Sequence, residues 1–314
     1  MRRAMPFLTL KDPSKESPYW TWGRKTHIMG IINTTPDSFS DGGDHLSIFS
    51  ALEYAKASIG YVDILDVGGY STRPGAAAIS EEEEIARVVP VIKAIREVGI
   101  TKPISIDTFR AGVAQAAIDA GANCINDVYG LEGEKDDRLL EVVKRTGVPV
   151  VVMHSRGDAG QNKGYDAYGG VVNGVRDELG KRMDRALKYG VRRWNLIADP
   201  GLGFSKTVED HTTLLKDLRT VTAASSKAIM GTWSIGESLG ITHALDGLPV
   251  LVGASRKSFL GKLVGRETAP KDRTVASAVA HAIAIQQGCD IIRAHDIIET
   301  WDTVKVADSV WRSS

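Results

Sequence analysis

Short apolar runs in this chain end, one after another, in residues that can do chemistry. Residues 27–32 run into Asn33, 103–106 into Asp107, 123–125 into Asn126, 194–198 into Asp199, 249–252 toward Ser255-Arg256-Lys257, and 290–292 into Arg293 and His295. Asp107, Asn126 and Asp199 are short acceptors at the ends of apolar segments. Burying them is costly unless each finds a hydrogen-bond partner, and a flat, donor-rich heterocycle would satisfy two or three at once. Asn33, Arg293 and His295 form a second set. Charged donors beside a neutral oxygen ligand suit a phosphate or diphosphate with Mg²⁺, an ion that takes few protein ligands and keeps several waters.

Each residue also has a plainer reading. Taken singly, Asp107 and Asp199 read equally well as helix N-caps, so their recurrence carries the argument. Lys257 reads as a surface cation, as a positioning group between the two sets, or as a Schiff-base nucleophile, since Arg256 beside it would lower its pKa. His154 and Arg156 have no nucleophile or second ligand near them in sequence and read as structural. Phe204 is either core or a flank for a flat ligand. No His-Glu-x-x-His pattern supports zinc. The acidic run Glu81-Glu82-Glu83-Glu84 follows Ser80 and reads as a capped helix start, not a metal site.

The elements that must hold these residues alternate along the whole chain. Apolar runs of strand length are followed by segments with helical spacing, such as Ile85, Val88, Val89, Ile92 and Ile95, and Gly or Pro clusters separate them. Parallel βα units in this number close most simply into an α/β fold, a (β/α)₈ TIM barrel. A doubly wound open sheet is disfavoured, because no G-x-G-x-x-G occupies the first turn and polar groups decorate every strand end. In a barrel those ends share one face, where active sites lie. We expect a single barrel domain over residues 27–314, a lead-in or linker over 1–26, and an insertion over 220–247 before strand seven.

Composition excludes several function classes. Lys plus Arg equals Asp plus Glu, 39 of each, so no global basic field argues for nucleic acid or anionic lipid. No apolar run reaches the roughly 18 residues of a membrane span. The first residues lack the pattern of a secretory signal. Cys124 and Cys289 have neither metal-ligand spacing nor disulfide density and read as core thiols.

The stretches Met29-Gly30-Ile31-Ile32-Asn33-Thr34-Thr35-Pro36-Asp37-Ser38-Phe39-Ser40-Asp41-Gly42-Gly43 and Gly68-Gly69-Tyr70-Ser71-Thr72-Arg73-Pro74-Gly75 resemble the two signature segments of dihydropteroate synthase. The resemblance continues in order through Ile106-Asp107-Thr108, Ile125-Asn126-Asp127, Met153-His154, Asp199-Pro200-Gly201-Leu202-Gly203-Phe204, Ser255-Arg256-Lys257-Ser258 and Arg293-Ala294-His295-Asp296. The Met153-His154-Ser155-Arg156-Gly157 wording and the 220–247 segment are similar to fungal versions, which form the C-terminal part of a trifunctional folate-synthesis polypeptide. The resemblance implies a transferase that condenses 6-hydroxymethyl-7,8-dihydropterin diphosphate with p-aminobenzoate, with Mg²⁺ as cofactor and sulfonamides as competitors. It implies a pterin site of Asp107, Asn126, Asp199, Phe204, Lys257 and Arg293, and a diphosphate site of Asn33, Thr72, Arg293 and His295, with Asn33 as metal ligand. Phe39, Asp41, Arg73, Pro74, Lys257 and Ser258 would meet p-aminobenzoate. Asp107, Asp199, Lys257, Arg293 and His295 would carry catalysis. A homodimer, located in the cytoplasm or mitochondrion, is the corresponding expectation. A methyl-transferring pterin barrel would have no use for the Asn33 and His295 end, and a non-enzymatic pterin-binding module would show no turnover.

Overall fold

The apolar runs do become strands in the computed structural model, which describes residues 6–7, 20–34, 43–71, 77–134, 136–157, 164–223 and 243–312, with backbone only at 6–7, 20–21 and 43–47. A short antiparallel ribbon pairs β1 (Pro6–Phe7) with β2 (Trp20–Thr21). Strands and helices then alternate as β3 (His27–Asn33), α1 (Gly43–Ser58), β4 (Ile64–Gly68), α2 (Glu81–Glu97), β5 (Ile104–Asp107), α3 (Ala111–Asp119), β6 (Cys124–Asp127), α4 (Arg138–Thr146), β7 (Val150–Met153), α5 (Val171–Tyr189) and β8 (Leu196–Asp199). The last units are α6 (Val208–Lys216), α7 (Leu218–Val221), β9 (Leu251–Val252), α8 (Ser258–Val264), α9 (Thr274–Gln286), β10 (Ile291–Ala294) and α10 (Ile297–Trp311). The eight strands β3–β10 form one parallel sheet in the order β8-β7-β6-β5-β4-β3-β10-β9. A parallel bridge from Ala198 to Val250 brings β9 back to β8. The sheet is therefore a (β/α)₈ barrel, and the open-sheet alternative falls.

Local chemistry explains the helix starts. The Ser80 hydroxyl accepts from the Glu83 N–H at 3.1 Å, as the acidic run predicts. At α3 the N-cap position, Arg110, has no side-chain cap bond of its own, and neighbouring side chains serve the first N–H groups. Thr108 accepts from the Arg110 N–H at 3.2 Å, and the Glu134 carboxylate accepts from the Ala111 N–H at 3.0 Å. Two differences matter for the site. β9 is only two residues long, and the Ser255-Arg256-Lys257 turn leads at once into α8, an unexpected short helix that begins at Ser258. Of the 220–247 insertion, residues 224–242 lie outside the described set; the returning chain is tied down by the ion pair of Arg176 with Asp246 at 2.5 Å.

The strands' alternation sorts their side chains into two cores. Outward residues such as Leu65, Val67, Ile104, Ile106, Val150 and Val152 pack beneath the helices. Inward residues Met29, Ile64, Cys124, Val151, Ile197, Leu251 and Ile291 make an apolar plug inside the barrel, and Trp22 from the lead-in packs against it. The floor of the site is thus solid. Both thiols are free and buried, and burial pushes Cys124 up to about 12 and Cys289 higher still. A disulfide-forming thiol reagent should label neither cysteine in the native protein and both after unfolding in guanidinium; fast labelling of the folded protein would contradict this packing.

Candidate active site

Strand register builds the pocket. Asn33 is paired with Gly68, Gly68 with Asp107, and Asp107 with Asn126, so these positions stand at one level around the barrel mouth. Asp199 ends β8 opposite Met153. A side chain at position 68 would place its Cβ 3.3 Å from the Asp107 Cβ, so glycine there keeps the span between Asn33 and Asp107 open.

Arg293 rises from β10 into this pocket and is gripped by two carboxylates. Its Nε donates to Asp66 Oδ2 at 2.6 Å and its Nη2 to Asp107 Oδ2 at 2.6 Å. Asp66 is fully buried and also accepts from Asn126 Nδ2 at 3.1 Å. That bond orients the Asn126 amide with its oxygen left over. Burial alone would lower the Arg293 pKa, but Asp66 and Asp107 outweigh it and the guanidinium stays charged. Burial raises Asp107 above the usual carboxylate range; Arg293 opposes this, while Asp66, Glu84 and Asp127 add to it.

Asp199 spends one oxygen on its own loop, where Oδ1 accepts from the Gly201 N–H at 2.7 Å. Burial raises it to about 6 against the Gly201 bond and the nearby Lys257, Lys206 and Arg293 charges. The helix-cap reading therefore fails for Asp199, whose bond shapes a loop, and for Asp107, which pairs with Arg293. Among the described residues, the second oxygens of Asp107 and Asp199 and the amide oxygen of Asn126 have no hydrogen-bond partner. They make an acceptor array at the ends of β5, β6 and β8.

Lys257 lies across Gly203, and its ammonium sits 4.1 Å from the centre of the Phe204 ring. Phe204 is thus at the site and not in the core. The turn that aims Lys257 is strained, since Arg256 has φ +59, a left-handed conformation that costs a side chain roughly 1–2 kcal/mol. Anchors hold it there: Arg256 forks onto the Asp296 carboxylate, its N–H donates to Ser277 Oγ at 2.9 Å, and Arg273 donates to its carbonyl at 3.0 Å. Ser258 is exposed at the start of α8.

His295 differs from expectation in charge. Burial, then Arg293 and Arg256, push it down to about 3, so it is a neutral donor at pH 7. The Ser255 hydroxyl oxygen accepts from the His295 backbone N–H at 3.1 Å, and the same hydroxyl is hydrogen-bonded to ring Nδ1, also at 3.1 Å. The other ring nitrogen, Nε2, has no hydrogen-bond partner among the described residues. The Asn33 amide likewise has no hydrogen-bond partner among the described residues. These residues fit Mg²⁺ held chiefly by substrate phosphate and water: one neutral oxygen is on offer, and no cluster of three or more acidic, His or Cys side chains exists among the described residues. Phe39, Asp41, Thr72, Arg73 and Pro74 lie outside the described residues.

Two site residues escaped the sequence reading. Asp66 carried a usable signal, a carboxylate in the run Ile64-Leu65-Asp66-Val67 with the same parity as inward Ile64. Lys206 carried none, because a lysine two residues past Phe204 reads as solvent-facing. Its Nζ instead donates to the carbonyls of Gly201 and Phe204, each at 3.0 Å. His154, expected to be structural, is fully buried between Lys206 and Glu178.

A parallel barrel with polar and charged side chains gathered at the C-terminal ends of its strands has the architecture of a (β/α)₈ enzyme. The chain belongs to the pterin binding enzyme family, whose pattern matches residues 29–295. A dihydropteroate synthase of Synechocystis is 39% identical over 93% of this chain and 92% of its own length. The folic acid synthesis protein fol1 of Pneumocystis carinii is 38% identical over 99% of this chain, which takes in the lead-in, although the match spans only 39% of that fungal protein. The solved Xanthomonas albilineans dihydropteroate synthase with 4-aminobenzoic acid superposes with a TM-score of 0.78 at 37% identity, covering 94% of this chain and 96% of that one. Within its family the chain is one of the dihydropteroate synthases, transferases of folate synthesis.

Gly203 tests the geometry. Its φ is +85, and an added Cβ would lie 2.6 Å from Lys257 Cδ. Gly203→Ala should lower the melting temperature, by a strain on the order of 1 kcal/mol, and weaken pterin binding in calorimetry by displacing Lys257. Parental pterin affinity in this variant would show that Lys257 does not depend on that course.

Proposed function

We propose that this chain condenses 6-hydroxymethyl-7,8-dihydropterin diphosphate with p-aminobenzoate, releasing diphosphate and 7,8-dihydropteroate. The observation that carries this is the acceptor array of Asp107, Asn126 and Asp199 beside the Arg293 clamp, with Asn33 and His295 at the neighbouring strand ends. A pterin presents ring and exocyclic N–H donors along one edge, and such an array accepts them.

The reaction is heterolysis of the bond between the pterin's exocyclic carbon and the diphosphate oxygen. The electron pair leaves with the diphosphate, the amine lone pair of p-aminobenzoate forms the new C–N bond, and the amine proton passes to water or diphosphate. Asp107 and Asp199 stabilise positive charge spreading into the ring, and Arg293 and the His295 imidazole N–H meet negative charge growing on the leaving group. Mg²⁺ held through Asn33 would supply further charge to that leaving group. An aromatic amine is neutral at pH 7 and already nucleophilic, so catalysis is positioning and electrostatics. Lys257 then acts as a cation between the two substrates, not as a covalent nucleophile. Phe39, Asp41, Thr72, Arg73, Pro74 and Ser258 complete the p-aminobenzoate and phosphate ends in this reading, and sulfonamides compete at the p-aminobenzoate end. Upstream folate-synthesis domains, as the fol1 relative's length suggests, are part of the same proposal.

Purified protein should form dihydropteroate only with both substrates and Mg²⁺. His295→Ala should lower kcat about 10²–10³-fold, the cost of removing one donor to developing negative charge. A protein that binds pterin and makes no dihydropteroate at saturation would sink the synthase reading.

The same proposal includes a homodimer through α9 and α10. These helices pack together and expose Val275 and Val279, one turn apart, and Val306 and Val310, likewise one turn apart. Trp301 packs edge-on against Tyr61 within the chain, whereas Trp311 is exposed. Sedimentation should give a dimer for the parent and a monomer for Val279→Glu with Val306→Glu; a monomeric parent would remove this part.

A further inference from the structure

The Met153-His154-Ser155-Arg156-Gly157 motif has no task in the pocket, yet it ends in the most heavily tied cluster near it. The loop after β8 is contorted: Gly201 has φ +70, Gly203 has φ +85 and Ser205, with a side chain, has φ +51. Several bonds hold it in that shape. Asp199 takes the Gly201 N–H, and Lys206 takes the Gly201 carbonyl from the other side. Lys206 also takes the Phe204 carbonyl, and its third bond, at 3.0 Å, goes to His154 Nδ1. His154, pushed down to about 3 by burial and then by the Lys206 charge, is neutral, so its Nε2–H donates to Glu178 at 2.9 Å. Arg156 closes the chain by forking onto Glu178, lies 3.8 Å over the Tyr165 ring, and donates its N–H to Ser205 Oγ at 3.0 Å. Tyr165 donates to the Ser205 carbonyl at 3.2 Å.

We propose that Lys206, backed by His154, Glu178 and Arg156, is the positioning residue for pterin recognition: it pins the loop that carries Asp199 and Phe204 and keeps positive charge behind the Asp199 carboxylate. Lys206 touches no substrate in this assignment. It uses all three ammonium protons on the Gly201 and Phe204 carbonyls and His154, which a neutral side chain cannot do. A strained loop persists only where its surroundings over-determine it.

The charge has a second consequence. Lys206 is itself lowered to about 7 by burial, against Asp199; Arg156 and Arg182 lower it further and Asp210 raises it. At acidic pH it is therefore charged and helps hold Asp199 down. The groups facing it are Asp199 on β8, His154 and Arg156 after β7, Arg182 on α5, and Asp210 and the neutral His211 on α6, with Glu178 behind His154. Asp199 accepts ring donors in its ionised form, so kcat/KM for the pterin substrate rises with pH through its titration. Removing the Lys206 charge moves that acid limb to higher pH.

The inference rests on the synthase reading, and the test separates the two. Lys206→Met should raise KM for dihydropterin diphosphate about tenfold to a hundredfold, the range for outer partners of ligand-holding groups. KM for p-aminobenzoate should change less, and the acid limb should shift upward. Lys206→Arg, which keeps the charge but not the three bonds, should raise the pterin KM with a parental acid limb, and it decides the matter if the Met variant does not fold. A parent that neither binds the pterin substrate nor turns over overturns the functional reading and this inference with it. An active parent whose Lys206→Met variant, or whose Arg variant if the other does not fold, keeps the parental pterin KM overturns the inference alone. So does a Met variant whose losses fall evenly on both substrates with a parental acid limb, because general loosening of the fold gives that result.

Discussion

The site depends on one buried ion-pair cluster, Arg293 held between Asp66 and Asp107. Losing one member of such a cluster leaves an uncompensated charge, at a cost of about 3–5 kcal/mol. The cluster also transmits orientation. Asp66 takes a bond from Asn126 as well as Arg293, so one carboxylate in the barrel interior sets a cation and an amide together. The apolar plug beneath excludes water from its floor, which strengthens these charges and leaves the mouth as the direction open to ligand.

Acceptors outnumber the donors available to them in the free pocket. Asp107, Asp199 and Asn126 keep oxygens without partners among the described residues, and burial lifts both carboxylates toward protonation. An enzyme that binds a donor-rich ring gains from this: the ligand supplies the hydrogen bonds that the protein withholds from itself. The neutral His295 stands at the neighbouring strand end, bonded to Ser255 through Nδ1. Strain is distributed by the same logic. Left-handed Arg256 and Ser205 lie in the two turns that present Lys257 and Phe204, and both are anchored by neighbouring elements.

Much of this was legible in the linear chain. Apolar runs with period-two parity and helix starts such as Ser80 with Glu83 are local, so strand and helix order could be read directly. Asp107, Asn126, Asp199, Lys257, Arg293 and His295 were legible because each follows a strand, and parallel strands of a barrel send their ends to one face. Asp66 was partly legible through its parity with Ile64. Lys206 was not, because its three acceptors are two backbone carbonyls of the contorted loop before it and a histidine from the loop after β7. The charge of His295 was misjudged because burial, which only the fold sets, comes first, with adjacent Arg293 and the sequence-remote Arg256 adding to it to hold the ring neutral.

By itself, then, the sequence determined the alternation of elements, the barrel and the roll of polar strand ends, because propensity, capping and burial parity act within a few residues. Tertiary structure alone decided which of those ends bond to one another, which oxygens stay available and which protonation states result. Register across the sheet and the local dielectric set those outcomes, and both depend on residues far apart in the chain, such as Arg293 and Asp66, whose bond spans 227 positions.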